Sequence, residues 1–229
     1  MERISPDNWQ SAVVSPETVI QKIRPGMSIF LGTAVAEPRT MVRHLMTSNS
    51  RNLEDLELIQ LVSFGDAVSI ETLQSQNFRL KTFFSGWVAN EAIERGRIDV
   101  IPSRFVKIPQ LIGSLLRPID VAVVQITPPN AAGFCSLGIA IDVAREALEQ
   151  ASIRVGEINT QIPRTFGDTY VPISEFDFLV RSTDPLIYFI AFQTNRCTTA
   201  TFTPSAACRM QKCRNMSMWT GTRSCPSSG

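Results

Sequence analysis

The run Asp-Val-Ala-Val-Val-Gln-Ile at residues 120 to 126 constrains this chain more than any other segment. Four consecutive apolar residues leave neither face for water, and such a strand belongs in the middle of a parallel sheet covered on both sides. The surrounding text agrees. Ser15, Pro16 and Glu17 are helix start signals for SPETVIQKI, as N-cap, first helical position and first-turn acid. Arg24-Pro25-Gly26 forces a turn, and Met27 to Leu31 is a short apolar strand ending at Gly32. After Pro38, Met41, Val42, Leu45 and Met46 share one helical face. His44 sits beside that face as a partly exposed helix residue rather than a catalytic one.

Residues 56 to 62, 78 to 84, 153 to 158 and 176 to 180 read as further strands, and Asp99-Val100-Ile101 runs to a stop at Pro102. NEAIERGRI, closed by Gly96, and residues 107 to 116 read as short helices. Ala140, Ala144, Ala147, Leu148 and Ala151 form the apolar stripe of another helix, with Asp142, Arg145, Glu146 and Glu149 facing out. Strands alternating with crossover helices predict an α/β fold, a mostly parallel sheet with flanking helices.

Composition narrows the function classes. A net charge of +1 with 19% charged residues excludes a polybasic nucleic-acid binder, and 44% hydrophobic residues exclude wholesale disorder. No apolar stretch reaches the roughly 18 residues that a membrane helix needs. The start, MERISPDNWQ, lacks a secretory pattern, so a cytoplasmic protein is expected, with no membrane or nucleic-acid partner.

A sharp break divides the chain. Residues 1 to 190 carry all 21 acidic residues, whereas residues 191 to 229 have no Asp, Glu, Leu, Ile or Val and hold four of the five cysteines. Such text offers no periodic apolar face. Residues 191 to 229 are therefore expected to be an unpacked tail, either an aberrant terminus such as a shifted reading frame or a natural Cys-rich appendage. Its cysteines, at 197, 208, 213 and 225, include no pair two to four residues apart, so no metal site is expected.

Ligands of parallel sheets bind outside the carboxyl ends of strands. Two loops therefore matter: GTAVAEP at 32 to 38 and TPPNAAGFCSLG at 127 to 138, each read as following a strand and opening a helix. Neither is a P-loop, and no GxGxxG or GxSxG occurs. A sugar-phosphate isomerase-like enzyme would share a related fold, but it would need an acid–base cluster that the chain does not show.

The order of segments resembles the N-terminal domain of the acetyl-CoA hydrolase/transferase family, which includes 4-hydroxybutyrate and succinyl-CoA:acetate CoA-transferases. The resemblance rests on IRPGMSIFLGTAVAEP (23 to 38), FFSGWVANEAIERGRIDVIPSRFVKIPQLI (83 to 112), DVAVVQITPPNAAGFCSLGIAIDVAREALEQA (120 to 151) and INTQIPRTFGDTYVPISEFDFLV (158 to 180). It implies a domain over 1 to 190 and CoA transfer between an acyl-CoA and a short-chain carboxylate such as acetate. In the family a glutamate of the second domain attacks the thioester, and backbone N–H groups of the first domain face the developing oxyanion.

By that resemblance Gly32, Thr33, Ala34 and Val35 are the oxyanion-side residues, although a simple strand-ending glycine turn is an equal reading of Gly32. Asn130, Gly133, Phe134 and Ser136 would lie near the acyl or CoA pocket, although a tight turn is the stronger reading of Gly133 and capping the core an alternative for Phe134. Cys135 reads as a small, half-buried loop residue rather than a nucleophile. Ser85-Gly86-Trp87 would border the cleft. No Glu follows Glu175, so the chain offers no counterpart of the catalytic glutamate, and by itself it is expected to be inactive. Coenzyme A enters as a substrate thioester, with no tightly bound cofactor. The partners implied are acyl-CoA, a small carboxylate, and either a further copy of the chain or a complementing second-domain chain.

Overall fold

The structure, a computed structural model, describes residues 4–62, 78–84, 93, 96, 98–114 and 119–186. The chain divides into two units, Met1–Tyr188 and Phe189–Gly229, and every described residue lies in the first. The tail, the 85–87 segment and most of the NEAIERGRI helix lie outside the described residues.

A short edge strand β1 (Val13–Val14) leads into α1 (Pro16–Ile20). The Ser15 side chain accepts from the Thr18 N–H, and Pro16 stands at the first helical position, as the start signals require. Strand β2 (Ser28–Leu31) is buried throughout and leads to α2 (Arg39–Thr47), which buries Met41, Val42, Leu45 and Met46. Strands β3 (Leu56–Gln60), β4 (Phe78–Thr82) and β5 (Ile98–Val100) follow, then α3 (Ile108–Ser114) and β6 (Val121–Ile126). The last elements are β7 (Phe134–Ser136), α4 (Ala144–Gln150), β8 (Ile153–Asn159), β9 (Tyr170–Pro172) and β10 (Phe178–Ser182).

Among the described residues, eight strands form one parallel sheet in the order β1-β10-β8-β6-β2-β3-β4-β5. All six residues of β6 are buried, as its uninterrupted apolar run demands. Alternation along the strands sorts the core into two layers. Ile29, Leu31, Leu58, Val121, Val123, Val155 and Val180 pack with Val42 and Leu45 of α2 on one face. Phe30, Ile59, Ala122, Val124, Ile158 and Leu179 pack with Ile112 of α3 and Ala147 and Leu148 of α4 on the other. The α/β architecture with flanking helices is thus present.

Three local expectations are corrected. The alanine stripe is shorter than its periodicity suggested: α4 starts at Ala144, Ala140 precedes it half-buried, and Asp142 sits in a turn at φ 42°. The 127–138 segment does not run straight into a helix. Its residues 134–136 form β7, which pairs antiparallel with β9 in a separate two-stranded ribbon. Phe134 is exposed at the head of that ribbon instead of capping the core, and Cys135 is wholly buried on the strand.

Candidate functional site

Strand order locates the site. From β2 the chain winds outward through β3, β4 and β5; it then returns to β6 on the other flank of β2 and winds away through β8 and β10. Strands β2 and β6 pair in the register Ile29↔Val121, Phe30↔Ala122, Leu31↔Val123. Loops leaving their carboxyl ends diverge to opposite sides, which opens a crevice at this switch point. Those loops are the two singled out from the sequence. The segment that follows the second loop reaches the first: the Thr33 hydroxyl donates to Asp142 at 2.5 Å.

The 32–38 loop is tightly wound. A Cβ on Gly32 would lie 2.7 Å from the Ala36 carbonyl oxygen, so the turn needs glycine for more than ending a strand. Ala34 adopts φ 53°, a left-handed conformation that costs a non-glycine residue about 1 kcal/mol or more. Backbone bonds divide the four candidate donors. The Gly32 N–H donates to the Val123 carbonyl and the Ala34 N–H to that of Val62. Among the described residues, no acceptor takes the N–H of Thr33 or Val35. The two amides left without an acceptor are therefore alternate ones, at buried Thr33 and half-buried Val35.

In the second loop, Asn130 is exposed and builds the turn: its Oδ1 accepts from the N–H groups of Ala132 and Phe134. Gly133 is held at φ 80° against Pro6, whose ring a Cβ would strike at 2.5 Å. Ser136 is buried, its N–H donating to the Thr127 hydroxyl and its own oxygen accepting from the Gly138 N–H. All three shape the loop. Burial pushes the Cys135 thiol up to about 12, with nearby Arg164 opposing weakly, so this sulfur is no nucleophile at neutral pH.

Sequence reasoning missed a polar stripe beneath the crevice. Gln60, Thr82, Gln125, Glu157 and Ser182 are all buried. Strand parity places them on the face of the sheet covered by α2, near the carboxyl ends of five strands. Gln60 Nε2 donates both to the Gly32 carbonyl at 3.1 Å and to Glu37 Oε2 at 3.0 Å, which ties both ends of the 32–38 loop to β3. Glu157 is fully buried on β8, and its carboxylate accepts the N–H groups of Met41 at 2.8 Å and Thr40 at 3.3 Å. Those N–H groups belong to the first turn of α2, where partners outside the helix are needed and anions are favoured.

Burial pushes the Glu157 carboxyl up to about 7; the Met41, Thr40 and Ser182 donors pull against that, and Asp184 adds to it. A signal for the stripe existed in the sequence. The strand texts LELIQ, VAVVQI and IRVGEIN each place an amide or carboxylate where the alternation calls for an apolar side chain.

The model of the acetyl-CoA hydrolase/transferase N-terminal domain matches residues 1–191. The chain belongs to this family. It is 30% identical over 179 residues to the 4-hydroxybutyrate coenzyme A transferase of Clostridium kluyveri, covering 78% of this chain and 42% of that protein. It is also 30% identical over 169 residues to the succinyl-CoA:acetate/propanoyl-CoA:succinate CoA transferase of Fasciola hepatica, covering 71% of this chain and 34% of that protein. The crystal structure of the 4-hydroxybutyrate CoA-transferase of Porphyromonas gingivalis superposes with a TM-score of 0.62 at 24% identity, over 80% of this chain and 42% of that one. The chain thus spans less than half the length of these relatives. Among its described residues no group of three His, Cys, Asp or Glu is arranged to hold a metal ion, and no helix is long and apolar enough to cross a membrane.

Proposed function

We propose that this chain forms the oxyanion-side wall of an acyl-CoA:carboxylate CoA-transfer site, binding an acyl-CoA thioester at the β2–β6 crevice. The observation that carries the reading is the pair of unengaged amides at Thr33 and Val35 on a loop at the switch point. A thioester carbonyl oxygen set between them would gain negative charge during attack. Donors already oriented there stabilise that charge without reorganising, each by about 3 kcal/mol. The braced loop provides that orientation, since Gln60, Asp142 and Glu157 hold it or the helix it leads into.

The attacking carboxylate is not among these residues. In our reading a glutamate of a second domain, or of a complementing chain, faces this wall and carries the acyl group and then CoA in turn. The relatives' greater length supports this. The acceptor is a short-chain carboxylate, as the CoA transferases it resembles suggest by name. The test has two arms, both using acetyl-CoA as the probe. Equilibrium binding to the chain alone is expected to be measurable, while transfer of CoA to propionate is expected to match a protein-free blank. Turnover by the chain alone, or no binding at saturating concentration, would refute the assignment.

A further inference from the structure

The hydrogen bonds around Thr40 form a cluster that the fold alone does not require. Its backbone N–H and that of Met41 are held by Glu157. Its hydroxyl donates to Asp184 Oδ2 at 2.7 Å and lies 2.8 Å from Ser182 Oγ. The other oxygen of Asp184 accepts from Arg43 Nη2 at 2.9 Å. Arg39 donates to the Pro185 carbonyl at 3.1 Å, and Asn159 Nδ2 to the Asp184 carbonyl at 3.0 Å. The α2 side chains that form these hydrogen bonds to the 182–185 segment, Arg39, Thr40 and Arg43, come from its first two turns, immediately after the 32–38 loop.

We propose that Glu157 and Asp184, with Thr40 between them, form a two-carboxylate latch that positions the Thr33 and Val35 amides. The latch also couples that loop to the segment through which the chain leaves the sheet. This rests on the thioester-binding reading above and extends it. Two facts argue for positioning over simple stability. An apolar side chain at 157 would have packed against α2 without desolvating a charge, and buried ions rarely match such packing for stability. A carboxylate contributes direction instead: two N–H groups converging on two oxygens fix the rotation and the height of the helix's first turn. Asp184, two residues past β10, holds the same turn through side chains, accepting from the Thr40 hydroxyl and the Arg43 guanidinium. Burial raises its carboxyl, but bonds from Thr40 and Arg43 and the charges of Arg43 and Arg39 outweigh that and hold it below the ordinary carboxylate range, so it stays ionised as an acceptor. A displacement of the 182–185 segment is then passed to the helix start and on to the loop.

Thr40 touches none of the reacting groups and is the place to test this. T40V removes the hydroxyl, T40S keeps it, and E157Q cuts the latch from the other side. Hydrogen exchange followed by mass spectrometry on the full chain reads the loop directly, and acetyl-CoA titration reads the site. In T40V and E157Q, exchange in peptides covering 33–42 is expected to rise about tenfold, with acetyl-CoA affinity falling by a similar factor, the worth of one bond to a charged group. T40S is expected to stay within about twofold of the parent, and peptides covering α3 and α4 should be unchanged in all three. Equal acceleration across α3 and α4, failure of T40S to restore the parent behaviour, or no change in T40V and E157Q would each overturn the latch. Should the parent chain fail to bind acetyl-CoA, the proposed function falls, while the exchange pattern still decides the latch.

Discussion

Replacing Glu157 by glutamine should flatten the pH dependence of stability, and the structure sets the size of the effect. The folded-state value near 7 lies above the ordinary 4.5 because burial disfavours the charged form. Between those values the folded protein holds more protons than the unfolded chain, so stability falls as pH rises through the interval. The stabilising contribution is complete below the unfolded value and gone once the pH passes the folded one. The gap corresponds to about 3 kcal/mol in total, of which about 2.5 kcal/mol falls between roughly pH 5 and pH 8. Glutamine keeps one acceptor oxygen for the Met41 N–H, loses the one that takes the Thr40 N–H, and cannot ionise, so E157Q carries a pH-independent loss and no titration at this position. Groups that do not interact with Glu157 are common to both proteins and cancel in the comparison. Urea unfolding of parent and E157Q, followed by circular dichroism in steps of about one pH unit, gives the difference directly. Parent minus E157Q stability should fall by about 2–3 kcal/mol from low to high pH. A difference that stays flat within about 0.5 kcal/mol, or one that rises, would show that Glu157 is not a desolvated carboxylate.

Other consequences follow from tight contacts and burial. G32A forces a methyl group to within 2.7 Å of a backbone oxygen, and should lower stability by about 1–3 kcal/mol while weakening acetyl-CoA binding; unchanged thermal unfolding and binding would mean that the loop relaxes freely. G133A combines φ 80° with a collision against Pro6 and should cost about 1–3 kcal/mol without a specific loss of thioester affinity, read by thermal denaturation and titration together. Cys135, buried and pushed up to about 12, should alkylate with iodoacetamide at least about 100-fold more slowly in the native protein than in urea; comparable rates in its peptide would contradict the burial.

Particular residues show which parts of this architecture are legible in one dimension. The Ser15–Pro16 helix start, the Met41–Met46 face and the six buried residues of β6 depend on neighbours within a few positions, so periodicity and capping chemistry specify them. The rule that ligands bind at the carboxyl ends of strands named two loops, which leave the neighbouring strands β2 and β6, and the family resemblance named the residues within them. It could not distinguish Thr33 and Val35 from Gly32 and Ala34, because the partners that occupy the latter two, Val123 and Val62, lie on other segments. The ribbon of β7 and β9 escaped notice for the same reason: each strand is three residues long and gains its pairing from the other, more than thirty positions away.

The amino-acid order by itself determined the layered class of the fold and the position of its central strand, because unbroken apolar runs and helix caps act through adjacent residues. Tertiary structure alone decided that β2 and β6 are neighbours. It also decided that Gln60 and Glu157 share a face below the crevice, and that a carboxylate 116 residues downstream holds the Met41 N–H. The physical reason is that a parallel sheet joins its strands through crossovers, so contacts that place a loop within a fraction of an ångström come from segments far apart in the chain.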